Sequence, residues 1–523
     1  MISYFDTTLR DGTQGEGLSL SAEDKVRIAQ RLDSLGIHYI EGGWPGSNPK
    51  DLEFFERAKS IVFEQSRIVA FGSTYRWGNE PASDPNLQAL IQAGTPAVSI
   101  FGKSWLLHVE RALGITPEQN LELIRRSVAF LKAHGKEVIY DAEHFFDGYA
   151  DDASYALSTL VAARDAGADW LVLCDTNGGT LPHDIARIVR EVAAHVNHPL
   201  GIHAHNDSET AVANSIAAVQ AGCRQVQGTI NGYGERCGNA NLCSIIPNLQ
   251  LKLGYDGLPA SSLPELTSVS HFVSEIGNMA HQSNLPFVGR SAFAHKGGIH
   301  VSAVMRDPVT YEHIRPEQVG NDRRVLVSDL SGRSNIRYKA EELHLDPAEH
   351  DRHIPEIVDL LKQREHEGFS YEAAEASLEL LVRRVTGQEC DSFELKSFRL
   401  MVEKSEHHPI RSEATIRLMV NGVEEHTAAE ARGPVNALDQ ALRKALTRFY
   451  PEIEDMQLSD YKVRVLNEKD GTQAKVRVLI DSTDSEHQWG TVGVSENIIE
   501  ASWQALMESF SWYLLKKKSV EIP

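Results

Sequence analysis

Three short stretches carry the side chains that could do chemistry. The first, Asp6-Thr-Thr-Leu-Arg-Asp-Gly-Thr-Gln14, leaves an apolar run at 2–5 and sets a cation, Arg10, beside a carboxylate, Asp11. Such a pair at the end of a buried strand costs free energy unless something uses it. Two readings stand: a structural ion pair, or a metal-binding Asp11 next to an Arg10 that clamps an anion or oxyanion. The second stretch is His203-Ala-His-Asn-Asp207, whose two imidazoles, at i and i+2 of a strand, face the same side. The third, Gly234-Glu-Arg-Cys-Gly-Asn239, adds an amide oxygen. Two ring nitrogens, a carboxylate and an amide oxygen make a mixed set with open positions. That set suits Mg, Mn, Zn or Co(II) rather than a closed structural zinc.

Strand ends must hold these groups. Short β-branched runs at 2–6, 38–44, 67–72, 97–102, 137–143, 169–175, 199–205 and 225–231 alternate with amphipathic stretches, for example at 21–34, 52–62, 117–133, 152–166, 184–195 and 209–221. Ser21 with Asp24, and Thr116 before Pro117, read as helix starts; Gly36, Gly94, Gly135, Gly167 and Gly222 read as stops. Eight strand–helix units in ~250 residues predict a (β/α)8 TIM barrel, in which strands one, seven and eight adjoin. An open doubly wound sheet is the rival, but 12–17 lacks the glycine spacing of a dinucleotide loop. The barrel places chemistry at the C-terminal strand ends. Arg10-Asp11, Glu143-His144, Asp175-Thr176-Asn177, His203 to Asp207 and Asn231 to Asn239 all fall there.

The chain has 523 residues, enough for several domains, with 41% hydrophobic and 24% charged residues, as in a globular protein with ample core. A net charge of −21 argues against a nucleic-acid partner. No leader and no membrane-length apolar run is seen, so a cytoplasmic protein is expected. The five cysteines read as reduced thiols; Cys237 and Cys243 lack a second pair at zinc spacing.

Three parts are expected: a catalytic barrel at 1–255, partly helical linker subdomains at 256–390, and a C-terminal domain at 391–523. In the linker, 297–300 and 332–334 read as loop and turn, with helices at about 351–365 and 371–385. The C-terminal part repeats a βββα pattern: strands near 393–403, 413–420 and 424–431 precede a helix at 435–449. Strands near 461–467, 473–482 and 487–493 then precede a helix at about 496–516. Gly490 and Gly493 read as tight turns, and no catalytic set is evident there.

The three stretches resemble the signatures of the DRE-TIM metallolyases. The whole chain, including His295-Lys-Gly-Gly-Ile-His300, is similar to their Claisen-condensing branch of 2-isopropylmalate, homocitrate and citramalate synthases. Within it, Glu41-Gly-Gly-Trp-Pro-Gly-Ser-Asn-Pro-Lys-Asp51 looks most like the citramalate-forming members. The resemblance implies a divalent metal on Asp11, His203, His205 and Asn239 that binds a 2-oxo acid, and Arg10 against the ketone oxygen. It implies acetyl-CoA and pyruvate as substrates, (R)-citramalate as product, a homodimer, and feedback by isoleucine through the C-terminal domain.

Glu143, facing the metal, is the first candidate for the base that enolises acetyl-CoA, if burial raises it; a substrate-positioning carboxylate or a partner for Arg10 is the alternative. His300 and Tyr311 match positions supplied from outside the barrel, for hydrolysis or proton transfer; His300 is the other candidate base, and both could merely pack the linker. Gln14 and Thr176 are placed for the substrate carboxylate, or as strand caps. His108 and His144 read as wall residues, and Glu235–Arg236 as an ion pair shaping the Asn239 loop. A homologue using another 2-oxo acid shares this fold and chemistry. A retro-aldol lyase would not need the doubled C-terminal unit, and the intact Arg10, Asp11, Glu143, His203, His205 and Asn239 set argues against a non-catalytic amino-acid sensor.

Overall fold

The computed structural model of the chain describes residues 1–327, 333–342, 347–406, 409–466 and 474–520. It forms two compact units, 1–293 with 313–323, and 294–312 with 324–523. In the first, eight parallel strands close into a barrel in chain order: β1 (Ser3–Asp6), β2 (Tyr39–Gly43), β3 (Arg67–Ser73), β4 (Ala97–Lys103), β5 (Glu137–Glu143), β6 (Trp170–Asp175), β7 (Leu200–Ala204) and β8 (Gln225–Gly228). β1 closes on β8 with Ser3 opposite Gln225 and Asp6 opposite Gly228.

Local chemistry starts and stops the helices. Ser21 and Asp24 form a reciprocal capping box that opens Ala22–Leu35, and Gly36 closes it in the left-handed region. Thr116 and Gln119 do the same for Pro117–Ala133. The helix expected at 52–62 runs instead over Pro49–Ala58, because Asn48 caps it and Pro49 takes its first turn. Pro85–Gln92, capped by Asp84, and Phe145–Asp151 are too short for periodicity to reveal.

The polar strand ends also differ from expectation. β7 stops at Ala204 and β8 at Gly228. His205 makes an isolated bridge with Asn239, and Ile230–Gly232 turns with Asn231 at φ 62°. Between β7 and β8 the hydrogen bonds go to the Asn239 loop, Ala240 N donating to Ala204 O (2.9 Å) and Thr229 N to Ala240 O (3.0 Å), while His205 N still donates to Asp175 O of β6 (3.2 Å).

In the second unit, β9 (Ala294–His295) and β10 (Arg324–Val325) pair in parallel. Gly298–Arg306 and Arg333–Glu342 are helices where a loop and a turn were expected, Gly332 itself lying outside the described residues. The linker helices span Pro347–Glu367 and Glu375–Val385. Then come β11 (Phe393–Glu403), β12 (Arg411–Val420) and β13 (Val423–Ala431), an antiparallel sheet followed by helix Pro434–Leu446. The pattern repeats with β14 (Gln457–Val465), β15 (Val476–Thr483), β16 (Gln488–Ser495) and helix Ile498–Val520. Residues 467 and 473, expected strand ends, lie outside the described residues. Alternate residues Ala414, Ile416, Leu418 and Val420 of β12 join Leu438, Ala441 and Leu442 in one core.

Gly490 and Gly493 are not turns but lie within β16. A Cβ there would come 2.0 Å from the carbonyl oxygens of Ala373 and Ala501, so bare backbone is required. Among the described residues no helix is long and apolar enough to cross a membrane.

Candidate functional site

The turn after β1 carries Arg10 and Asp11, and Asp6 anchors it. The Asp6 carboxylate accepts hydrogen bonds from Thr8 N (2.9 Å) and Thr8 Oγ1 (2.8 Å). Thr8 Oγ1 in turn accepts one from Ile230 N (2.9 Å), tying the turn to the end of β8. Burial pushes the Asp6 carboxyl up to about 7.

Asp11, His203 and His205 converge, all buried, with one ligand atom from each within 4.8 Å of the others. Asp11 Oδ2 lies 3.2 Å from His203 Nε2 and 4.0 Å from His205 Nε2, and the two Nε2 atoms are 3.2 Å apart. Although His205 is one residue past β7, its ring still meets that of His203. Gln227 Nε2 donates to Asp141 Oδ1 (3.0 Å), and Ser99 Oγ donates to Asp141 Oδ2 (2.6 Å). Gln227 Oε1 therefore faces His203 Nδ1 at 2.9 Å as an acceptor, which puts a ring proton on Nδ1 and leaves Nε2 facing Asp11.

Burial opposes charge throughout this cluster. Burial alone would raise Asp11, but Arg10 and then His203 hold its carboxyl well below the usual carboxylate range. His203 would fall on burial, but its hydrogen bond to Asp11 and that residue's charge hold it above the ordinary imidazole value. Burial, then the neighbouring His203, push His205 down to about 3.

Asn239 Nδ2 donates to Tyr233 O (3.2 Å), and its buried Oδ1 has no hydrogen-bond partner among the described residues. Nor has the buried Nδ1 of His205. An orphaned amide oxygen, two facing imidazole nitrogens and a carboxylate held ionised fit a divalent cation.

The Asn239 loop needs glycine at 234, where φ is 156° and a Cβ would sit 2.2 Å from Asn239 Nδ2. Arg236 ties the loops after β6, β7 and β8 together. It forks onto Asp207 (Nε to Oδ1 2.8 Å, Nη2 to Oδ2 3.1 Å) and donates to Thr176 O (2.7 Å). Its expected partner, Glu235, is a looser contact at 3.3 Å. A bidentate carboxylate outcompetes a neighbour reached only by one edge.

Arg10 does form an ion pair, chiefly with Glu41 of β2. Its Nε donates to Glu41 Oε2 at 2.6 Å, while Nη1 is 3.5 Å from Asp11 Oδ1. Burial disfavours the Arg10 charge, but Glu41 and Asp11 outweigh it and hold the guanidinium firmly charged. Burial pushes Glu41 up to about 7 against the pull of Arg10. One face of Arg10 lies 3.8 Å over the ring of Phe71. Phe71 stacks on Phe101 at 5.5 Å, and Trp44 meets both edge-on. Trp44 is fixed by Asp51 Oδ2, which accepts from its backbone N (2.8 Å), and by Asn86 Oδ1, which accepts from Nε1 (2.8 Å). Asp51 pairs with the buried Lys25, whose Nζ also donates to Gly42 O (3.0 Å).

Arg10, Trp44, Phe71 and Phe101 line a cavity of about 220 Å³ with the Asp11–His203–His205 cluster, lined also by Gln14, Glu143 and Thr176. Glu143 ends β5, and its side chain is 24% exposed and ion-paired with Lys103. Thr176 Oγ1 accepts from His144 N (2.9 Å). His108 and His144 pack ring to ring at 4.3 Å and do not line the cavity. His300 and Tyr311 stack at 4.3 Å in the second unit. All five cysteines are free, and among the described residues the one candidate metal cluster contains none.

Sequence reasoning gave no role to Glu41, Lys103, Asp141 or Gln227. A polar residue inside an apolar strand run was the available signal.

The chain matches the HMGL-like family over residues 1–273, the homocitrate synthase post-HMGL domain-like family over 287–368, and the LeuA allosteric (dimerisation) domain over 372–514. It is 57% identical to an (R)-citramalate synthase of Aquifex aeolicus, over 98% of this chain and 98% of the relative. It is 56% identical to the (R)-citramalate synthase of Geobacter sulfurreducens, over 100% of this chain and 99% of the relative. With that of Synechocystis it shares 53% identity, over 98% and 95%. A barrel of eight strands in chain order, a convergent Asp–His–His cluster at its rim and likeness along the full length agree: the chain belongs to the HMGL-like family, among its (R)-citramalate synthases.

Proposed function

We propose that the protein condenses acetyl-CoA with pyruvate and water to give (R)-citramalate and CoA, in the threonine-independent route to isoleucine. Full-length likeness to (R)-citramalate synthases supports this substrate pair over the 2-oxo acids of 2-isopropylmalate or homocitrate formation. For the chemistry, the observation that carries the reading is the convergence of Asp11, His203 and His205 beside Arg10.

Asp11, His203, His205 and Asn239 would hold a divalent cation, which when bound supplies a Lewis acid for the 2-oxo acid. Arg10, already held by Glu41, presents its charge where the ketone oxygen gains negative charge. Gln14 and Thr176 hold the substrate carboxylate. Glu143 takes a proton from the acetyl methyl; the C–H electron pair moves into the enolate, whose carbon attacks the ketone carbon. Water then cleaves the thioester and releases CoA, with His300 and Tyr311 of a second copy serving that step or moving its protons. Trp44, Phe71 and Phe101 wall the side where the pyruvate methyl lies. A neighbouring cavity of about 1010 Å³ shares Trp44 and Phe101 with the first and has room for the CoA arm.

The protein acts as a cytoplasmic homodimer of three parts: the barrel at 1–255, the linker at 256–390 and a regulatory domain at 391–523 inhibited by isoleucine. The match to an allosteric (dimerisation) domain over 372–514 supports a regulatory C-terminal part. CoA release, followed with a thiol reagent for each 2-oxo acid in turn, tests the substrate. Pyruvate is expected to give the highest kcat/KM, with 2-oxobutanoate about 10-fold lower. Higher efficiency with 2-oxoisovalerate or 2-oxoglutarate overturns the assignment. Truncation after about Gly387 is expected to leave condensation and abolish inhibition by isoleucine.

A further inference from the structure

β4 and β5 end in register, with Lys103 beside Glu143. Their side chains form an ion pair, Nζ to Oε2, only 18% and 24% exposed. Lys103 Nζ also stands 5.3 Å from the centre of the Phe101 ring. Two cavities meet here and share Trp44 and Phe101. Glu143 lines the smaller, with Asp11 and the two histidines, and Lys103 lines the larger. The pair stands on the partition between them.

Holding two charged side chains in a poorly exposed place costs desolvation and rotamer entropy. The backbone does not need the pair: Asn120 Nδ2 already donates to Lys103 O (2.8 Å), and Ser104 N to Glu143 O (3.2 Å). Another cation, Arg10, lines the same small cavity as Glu143. Without Lys103, Glu143 would be free to turn to it.

We propose that Lys103 is a positioning residue for Glu143. Its ammonium aims the carboxylate across the partition, toward an acetyl group entering from the larger cavity, and keeps it off Arg10. Arg10 is thereby left to the ketone oxygen. The inference rests on Glu143 being the enolising base.

The test uses the full-length enzyme with Mn²⁺. Lys103→Met is expected to lower kcat about 10²-fold, the cost of a misplaced catalytic group. Exchange of the acetyl-CoA methyl protons with solvent should fall in step, while the pyruvate KM and Mn²⁺ affinity stay put. Lys103→Arg should restore most of both rates, a rescue that a merely structural role would not give. Mn²⁺ bound at the wild-type stoichiometry certifies the folded site, and Lys103→Gln serves if the Met variant fails that check. Because the two residues act as a unit, Lys103→Met should not slow Glu143→Gln further. Unchanged kcat in Lys103→Met, or fully additive losses in the double variant, overturns the proposal. Wild-type proton exchange in Glu143→Gln would instead refute Glu143 as the base.

Discussion

The two sides of the barrel rim are built from opposite materials. On the β1, β7 and β8 side the groups are polar or charged and buried, and most are locked by a named partner: Asp11 by His203, His203 by Gln227, Gln227 by Asp141, Asp6 by Thr8. On the β2 to β4 side Trp44, Phe71 and Phe101 make an apolar wall. Arg10 stands between, with Nε on Glu41 and its face on Phe71. A buried charge loses its compensation all at once when its partner goes. An apolar wall discriminates by volume, and its effects are graded. The first side should therefore fail abruptly on substitution, and the second should drift.

That contrast orders the expected effects. Asp11→Ala, or His203→Ala with His205→Ala, should lose both bound metal and turnover. The fall should exceed the ~10²-fold that loss of an outer partner costs. Metal content after dialysis and CoA release check it; stoichiometric metal with normal turnover in the double variant would move the site elsewhere. Arg10→Lys keeps the charge but loses the planar fork that reaches Glu41. A fall in kcat of ~10²–10³-fold with little change in pyruvate KM is expected. Gln227→Leu frees His203 Nδ1 and leaves Asp141 Oδ1 without its donor, so Mn²⁺ affinity measured by titration should drop ~10–100-fold. Wild-type affinity there would show that the Ser99–Asp141–Gln227 chain does not set the His203 ring.

The same contrast explains what the sequence made legible. Asp11, His203, His205 and Asn239 stand in short runs whose residue types and spacing speak for themselves. Capping boxes at Ser21 and Thr116 and the left-handed Gly36 are local too, so those helix ends could be read. Glu41, Asp141, Gln227 and Lys103 work only through partners that the closed barrel brings beside them. Gln227 meets Asp141 across 86 residues of chain, Lys103 meets Glu143 across 40, and Arg10 meets Glu41 across 31. Gly490 and Gly493 misled for the same reason: their need for a bare backbone comes from Ala373 and Ala501, not from a turn. The ends of β7 and β8 fell short because loop partners took over the ladder's hydrogen bonds at the rim.

The smallest effect belongs to the wall, and Phe101 is the place to look for it. Phe71→Ala would also remove the ring under Arg10 and so mix the two sides. Phe101 touches Phe71 and Trp44 but leaves the Arg10 contact alone. Trp44 should not swing into the gap, because Asp51 and Asn86 hold it at the backbone and the indole nitrogen. Phe101→Ala should therefore open room for a longer 2-oxo acid chain without removing the ring under Arg10. One methylene in an apolar pocket is worth ~1–3 kcal/mol, so 2-oxobutanoate should gain about 10-fold in kcat/KM relative to pyruvate. The ratio measured with both acids in one reaction reads this directly. A loss of turnover on every 2-oxo acid, as deep as that of Asp11→Ala, would break the contrast. Phe101 would then be needed through the Lys103 ammonium above its ring, and the wall would belong to the charged machinery rather than to substrate choice.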